Sequence, residues 1–261
     1  MNFSFFKKSV VGLFSLIIFV SVSMSSCIFA GSSYEKTNCF VGNNFYSISD
    51  SDKTAEFIKS ELSKVDIPNE IEYKEKKYKV TSISDNAFRN RTDLTDVKIP
   101  DSVKKIGSYA FYGCWRLSKI SIPASVISIG DYAFWNCSAP SQIELKGNSL
   151  ESIGNYAFAD CYSVDNIEFP DSLKKIGSDA FKKCNSLSSI KISGLFDRHK
   201  FDKSGIELCK DKNDNYNLKF KVSGSTQEGQ IKSKDGTDVQ CVCNTGKETT
   251  IIDLQVNKWI V

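Results

Sequence analysis

Phe88, Phe111, Phe134, Phe158 and Phe181 recur every 23 residues, with one step of 24. Each follows an alanine. Four of them precede a cysteine by three residues, at Cys114, Cys137, Cys161 and Cys184, and Arg91 holds that place in the first unit. A fixed period of this length means a solenoid, in which no unit can bury its own apolar face and each must stack on its neighbours. Such a chain fills its interior with its own side chains, which directs function to surface recognition rather than to chemistry.

Residues 94–116 show what one unit does. Val97 and Ile99 alternate with Asp96 and Lys98, the pattern of a half-buried strand. Pro100 cannot donate to a ladder, so it ends the strand. Val103 and Ile106 turn back inward. Gly107 reads as a turn position with relaxed backbone sterics. Ala110, Phe111 and Cys114 then fall at i, i+1 and i+4, an apolar stripe that predicts one or two turns of helix. The units starting at Leu117 and Val164 repeat the pattern. The unit between them has Lys146 in place of the proline and one inserted residue near Gly147 and Asn148. Upstream, Ile67, Pro68, Ile71, Ile83, Ala87 and Phe88 form a degenerate first coil with nine extra residues, which fall at the charged stretch Tyr73 to Lys79.

The Ile-x-Ile-Pro-x-Ser-Val-x-x-Ile-Gly-x-x-Ala-Phe-x-x-Cys unit resembles the 23-residue leucine-rich repeats of the Treponema type, the BspA-like surface proteins, over roughly residues 67–195. The stretch from Tyr46 to Ile83 is similar to the region that leads into such repeats. The opening Leu-x-x-Ile-x-Ile-x-x-Ser has leucine-rich spacing. Ser102, Ser125, Asn148 and Ser172 stand in its asparagine place, where a short polar side chain can bond backbone groups left open at the strand end. The resemblance implies a secreted or surface-attached, adhesin-like binder of host or neighbouring-cell proteins, and it implies no catalytic residue.

The expected architecture is therefore an α/β repeat solenoid: a short leucine-rich array with a parallel β-sheet on one face, short helical turns on the other and β-rich caps at both ends. Residues 1–30 read as a leader and 31–65 as an N-terminal cap with strands near Phe45 to Ile48 and Ala55 to Lys59. The second of these could instead be a helix. Repeats run over 66–195. Residues 196–261 read as a cap or small module with three strands, at Leu218 to Val222, Val239 to Cys243 and Ile251 to Val256.

Lys7 and Lys8 are the only charged residues before Glu35, and an apolar run follows them. Three readings compete for this segment. Ser23 to Cys27 resembles a lipobox that would make Cys27 a lipidated first residue. Ile28-Phe29-Ala30 ahead of Gly31 suits simple cleavage, and Ser9 to Ala30 is long enough to span a bilayer uncleaved. All three place the body outside the cytoplasm, at the cell surface or in the extracellular space, and limit membrane contact to an N-terminal lipid or anchor. Once the leader is removed, 32 basic residues face 31 acidic ones along the chain, so no nucleic-acid footprint exists.

With Cys27 and the repeat column set aside, Cys39, Cys209, Cys241 and Cys243 remain, an even set open to two disulfides in any of three connectivities. Cys241 and Cys243 share one face of a strand, so Cys209 is the better partner for one of them. The repeat cysteines read as buried free thiols acting as small hydrophobes. With His199 the single histidine, neither a metal site nor a cofactor is expected.

Two surfaces could bind. On the sheet face, Asp96, Lys119, Gln142, Asn166 and Ser189 form one outward column, and Lys98, Ser121, Glu144, Glu168 and Lys191 another. Both are polar, and neither offers an aromatic anchor. The opposite side is richer. Tyr109, Tyr132 and Tyr156 align, as do Tyr112 with Trp135 and Trp115 with Tyr162. These rings read either as a ladder that stabilises the stack or as an exposed patch that docks an extracellular protein. The expected function is non-catalytic protein binding. A passive coat without a fixed partner is the alternative. An extracellular enzyme using His199 or carboxylates of the tail is a third reading without motif support. Asn90-Arg91-Thr92 and Asn136-Cys137-Ser138 fit glycosylation sequons.

Overall fold

The computed structural model describes residues 36–140 and 142–192 and, beyond them, 195–197, 203–210, 216–223, 228–233, 239–244 and 249–254. The leader with Cys27 lies outside the described residues, as do His199 and Asp202. The repeats wind into a β-solenoid of about six turns. One coil gives β7 (Asp96–Lys98) and β8 (Lys105–Ile106), and the next gives β9 (Ile120–Ile122) and β10 (Ser128–Ile129). Then come β11 (Gln142–Leu145) with β12 (Ser152–Ile153), β13 (Asn166–Glu168) with β14 (Lys175–Ile176), and β15 (Ser189–Ile192).

Stacking produces two parallel ladders where the sequence pattern indicated one. Strands β9, β11, β13 and β15 form the first, and β8, β10, β12 and β14 the second. Isoleucine meets isoleucine in both, with Ile120 opposite Ile143 and Ile106 opposite Ile129. The second ladder was illegible because its strands are two residues long, too short for alternation to register. Pairing locates the inserted residue. Leu145 pairs with Ile122 at a step of 23, whereas Ser152 pairs with Ser128 at 24, so the extra residue falls between them, where Gly147 turns.

Inside, the phenylalanines stack. Ring centroids are 5.0 Å apart for Phe88 and Phe111, 4.9 Å for Phe111 and Phe134, and 5.3 Å for Phe134 and Phe158, and all of these rings are buried. Phe57, outside the repeat pattern, adds a rung 5.1 Å below Phe88.

The expected helical turns do not form, and among the described residues no helix exists. Tyr109 and Gly113 both adopt left-handed backbone conformations, with φ of 58° and 72°, and the four-residue spacing recurs in each coil. Two such residues within one turn break an α-helix. The segment makes a third inter-coil ladder instead. Tyr109, Phe111 and Gly113 donate their N–H groups to Asp131, Ala133 and Trp135 of the next coil, while Tyr112 and Cys114 bond three residues back.

The repeat glycine also has a different cause from the one its sequence position suggests. Gly130 is not in the left-handed region. A Cβ there would lie 2.5 Å from the Ser108 nitrogen, and the same clash recurs at Gly107, Gly154 and Gly177. The backbones of successive coils meet too closely for any side chain.

The end strands extend the ladders rather than forming separate β-rich caps. Strands β1 (Lys36–Val41), β2 (Asn44–Ser49) and β3 (Thr54–Ser60) run antiparallel in turn. Ala55 to Lys59 is thus strand, not helix. Strand β3 then pairs in parallel with β6 (Lys76–Ile83), and β6 with β8. The inserted residues make a hairpin of β5 (Glu70–Tyr73) with β6, and β4 (Lys64–Asp66) lies parallel to β7.

At the other end, β19 (Glu228–Ser233) pairs in parallel with β15, and β18 (Tyr216–Val222) bridges β19 to β17 (Ile206–Lys210). The turn ladder continues too, from Phe181 to Ser204 and from Lys183 to Ser223. Strands β16 (Leu195–Asp197), β20 (Val239–Asn244) and β21 (Thr249–Leu254) make a further sheet.

Candidate binding surface

The aromatic columns assemble as face-to-face stacks. Tyr109, Tyr132 and Tyr156 follow one another at 4.9 Å per coil with nearly parallel planes, and Tyr112 lies 4.6 Å from Trp135. All five rings are half-buried. Each tyrosine of the long column holds a left-handed φ, 58°, 56° and 54° in turn, where coils with other sequences place Asn86 or Asp179. Asparagine and aspartate tolerate that conformation, whereas a bulky residue adopts it only at a cost. The inter-coil hydrogen bonds of the turn ladder hold these tyrosines there.

Cations close both ends of the stack. The Arg89 guanidinium stands over the rings of Tyr109 and Tyr112 at 5.0 and 5.2 Å, and the Lys182 ammonium is 5.9 Å from the Tyr156 ring. Attraction between a cation and a ring face stabilises such contacts. Residue-level reading missed this pair. Its signal was present, because Arg89 and Lys182 occupy the Tyr112–Trp135 phase of the repeat, one coil before and two coils after. The hydrogen bond from Tyr156 to Asp179 pushes the phenol up from its ordinary pKa.

Trp115 and Tyr162 differ from these rings. Trp115 is 49% exposed and Tyr162 41%. The Tyr162 hydroxyl donates to Asp160 at 2.6 Å, which pushes the phenol up to about 12. Lys183 flanks the same carboxylate at 3.7 Å.

The sheet face follows the expected register, with Gln142, Asn166 and Ser189 in line and Glu168 opposite Lys191. Its charges largely satisfy one another. Lys119 pairs with Glu144 at 2.7 Å, Ser121 donates to the same carboxylate, and Lys98 pairs with Asp66. Hydrogen bonds from Lys119 and Ser121 hold Glu144 below the usual carboxylate range. Two shallow grooves lie on this face, one of about 630 Å³ over Glu144, Asn166 and Glu168 and one of about 710 Å³ over Asp66, Lys98 and Lys119. Both are polar.

The remaining predicted residues are structural. Ser125 and Ser172 donate to the Val103 and Leu150 carbonyls one coil away, and Asn148 accepts from the Ser172 nitrogen. Ser102, at the end of that column, is buried with no partner. Each repeat cysteine is buried and free, its thiol donating to a phenylalanine carbonyl of an earlier coil. Arg91, in the cysteine place of the first unit, reaches out to the Ser60 and Leu62 carbonyls and to Asp93. Cys39 is also a buried free thiol, so it does not join the expected disulfide set. The side chains of Cys209, Cys241 and Cys243 lie outside the described residues. Of the sequons, Asn90 is exposed and Asn136 half-buried. Among the described residues no cluster of histidine, cysteine and carboxylates could hold a metal.

Residues 81–207 match the model of the BspA type leucine rich repeat region in six copies. A leucine-rich repeat protein from Bacteroides ovatus is 30% identical with a TM-score of 0.53, over 59% of this chain and 49% of its own. The T. pallidum leucine rich repeat protein is 26% identical with a TM-score of 0.55, over 64% of this chain and 78% of its own. A leucine rich cell surface protein from Faecalibacterium prausnitzii, 24% identical with a TM-score of 0.56 over 71% of this chain and 61% of its own, shares the fold. The chain thus spans about half the length of the Bacteroides protein. No curated protein matches it.

Proposed function

We propose that this chain, whose residues 81–207 belong to the BspA type leucine-rich repeat family, is a secreted or cell-surface protein that binds another extracellular protein and catalyses no reaction. The observation that carries this reading is the strip of Tyr112, Trp115 and Trp135 on the turn side. There a stacked, half-exposed pair adjoins the most exposed tryptophan among the described residues. Rigid aromatic edges give contact area at low entropic cost and are favoured at hot spots. The long Tyr109–Tyr132–Tyr156 column serves as their support, since its faces are spent on one another. The sheet face of Lys98, Lys119, Glu144, Glu168 and Lys191 is the less favoured contact surface, because Lys98, Lys119 and Glu144 are engaged in ion pairs and it offers no aromatic anchor.

A surface location draws support from the likeness to a leucine rich cell surface protein of Faecalibacterium prausnitzii and from the leader-like N-terminal segment. Lipidation at Cys27 is the anchoring mode we propose, and mass spectrometry of the native protein reports it directly. In the domain plan, 31–65 and 196–261 are the ends that close the array.

The test is binding of the purified ectodomain to host matrix proteins and intact cells. Replacing Tyr112, Trp115 and Trp135 together by serine should abolish binding while the protein stays folded by far-UV circular dichroism, with a stability loss of at least about 0.5–1.5 kcal/mol from the Tyr112–Trp135 stack. Retained binding in that variant would overturn the reading. An ectodomain that binds no matrix protein or cell leaves the passive coat.

A further inference from the structure

The sheet-face ladder is interrupted between two successive coils. Strands β9, β11, β13 and β15 pair in turn, but β7 pairs with β4 and not with β9. Most Cα pairs between β7 and β9 are more than 8 Å apart, whereas paired strands lie ~4.8 Å apart. The two coils are joined on either side of this opening. Before it, the Ser118 N–H donates to the Thr95 carbonyl at 3.0 Å. After it, the Ile127 N–H donates to the Lys104 carbonyl at 2.8 Å, and β8 pairs with β10.

Later coils show which bonds the opening lacks. Phe169 donates its N–H to the Lys191 carbonyl at 2.9 Å, but Ile99, in the same place of its coil, makes no such bond to Ser121. Lys146 donates to the Ile122 carbonyl at 2.9 Å, but Pro123, in the same place, has no N–H to offer the Ile99 carbonyl. Val97 and Ile99 are only half-buried, while their counterparts Ile120 and Ile122 are buried. The groove of about 710 Å³ lies over the opening, with Lys98 and Ile99 on one side and Lys119 and Ser121 on the other.

The geometry points to a docking site in which this opening receives a short extended segment of a protein partner. The segment pairs with the Ile99 N–H and the Ser121 carbonyl and completes the ladder from outside. Unpaired N–H and C=O groups along a strand edge are a template for another main chain. Strand β7 is three residues long, which sets the length of the paired part. Charge favours a basic segment. Lys98 is paired with Asp66, and Lys119 and Lys146 share Glu144. Asp96 and Asp101 line the same groove and have no ion-pair partner among the described residues. Main chain and charge are recognised here rather than an aromatic anchor, so the site is separate from the Tyr112–Trp115–Trp135 strip.

The probe is the peptide acetyl-Lys-Thr-Val-Thr-Lys-amide, with the full ectodomain observed by NMR. In the free protein the Ile99 amide should exchange with solvent far faster than the Phe169 amide, and the peptide should slow it. Titration should shift the Ile99 and Ser121 amides and leave the Trp135 indole N–H unmoved. The same peptide N-methylated at its three central residues cannot donate to Ser121 and should not bind. Asp96→Lys combined with Asp101→Lys should keep the fold and weaken binding several-fold, and unchanged affinity there would remove the preference for a basic segment. Protection of Ile99 equal to that of Phe169 in the free protein overturns the site. So does the absence of any shift at millimolar peptide, which leaves the opening to solvent, or equal binding of the N-methylated peptide. The serine variant of Tyr112, Trp115 and Trp135 should titrate with the peptide as wild type does, so failure of the aromatic strip and failure of this site are read separately.

Discussion

The thiol of Cys137 donates to the Phe111 carbonyl, 3.2 Å away in the preceding coil. The same bond recurs at Cys114, Cys161 and Cys184, at 3.0 to 3.2 Å. The cysteine column is thus more than small apolar filler, because each sulfur adds a weak hydrogen bond that ties one coil to another.

Burial pushes the Cys114 and Cys184 thiols up from an ordinary 9.0 to about 12, and those of Cys137 and Cys161 well above the ordinary value. An acid whose folded pKa is raised holds its proton in the native state while the unfolded chain loses it. The thiols' contribution is therefore complete below pH 9 and falls as pH rises toward 12, by about 1.4 kcal/mol per pH unit for each thiol. Urea midpoints measured from pH 8 to 11 should drop steeply, and Cys137→Ala should flatten the slope. The four thiols should resist alkylation in the native protein and react on unfolding.

Phe134 stacks between Phe111 and Phe158 at the middle of the array. Phe134→Ala should cost about 3–5 kcal/mol from lost transfer energy and the cavity left behind. Phe134→Leu should cost less. Chemical denaturation followed by far-UV circular dichroism checks both.

Gly130→Ala drives a methyl to 2.5 Å from the Ser108 backbone nitrogen. Backbone cannot yield as a flexible side chain does, so the coils must part, at about 1–3 kcal/mol or more. Gly42 has nothing within 4 Å, and its φ of 60° is the only obstacle to a side chain. Gly42→Ala should therefore lose about 1 kcal/mol. Hydrogen exchange in the Gly130 variant should show lost protection at residues 107–111 and 130–134.

Ser102→Ala removes a buried hydroxyl that has no partner, so stability should hold or rise by about 1 kcal/mol. Ser125→Ala and Ser172→Ala break bonds of 2.6 and 2.7 Å to neighbouring coils and should each lose about 1 kcal/mol. Equal losses in all three would show that Ser102 has a partner after all.

Tyr132 combines a stacked ring with a left-handed backbone at φ 56°. Tyr132→Asn gives up stacking of about 0.5–1.5 kcal/mol per ring pair but relieves the backbone. Tyr132→Val loses the ring and adds a β-branched residue where that conformation is worst. Thermal melts should rank the asparagine variant above the valine variant, although valine is the more apolar.

Much of the architecture could be read directly. The recurring Ala-Phe-x-x-Cys placed five rings in one core column, and the isoleucine spacing set the register of the facing strands. The charged insertion was located though its hairpin was not foreseen, and the three tail strands formed close to the predicted residues. The candidate surface was legible as columns of tyrosine and tryptophan, but not as stacked versus unstacked rings. Trp135 stacks on Tyr112 at 4.6 Å, whereas Trp115 stacks on no ring among the described residues and is exposed, a difference that depends on side-chain placement between coils.

The amino-acid sequence on its own determined the repeat, the interior and the polar exterior, because each coil carries the same apolar side chains at the same phase and water drives them together. The tertiary structure decided the conformation of the turn side. Ala110, Phe111 and Cys114 have helical spacing, yet the N–H groups of Tyr109 and Phe111 find partners 22 residues away, at Asp131 and Ala133, rather than four residues back. That choice requires the next coil to be present. The left-handed tyrosines, the close approach at Gly130 and the third ladder arise together once it is, and none of them exists in a single coil alone.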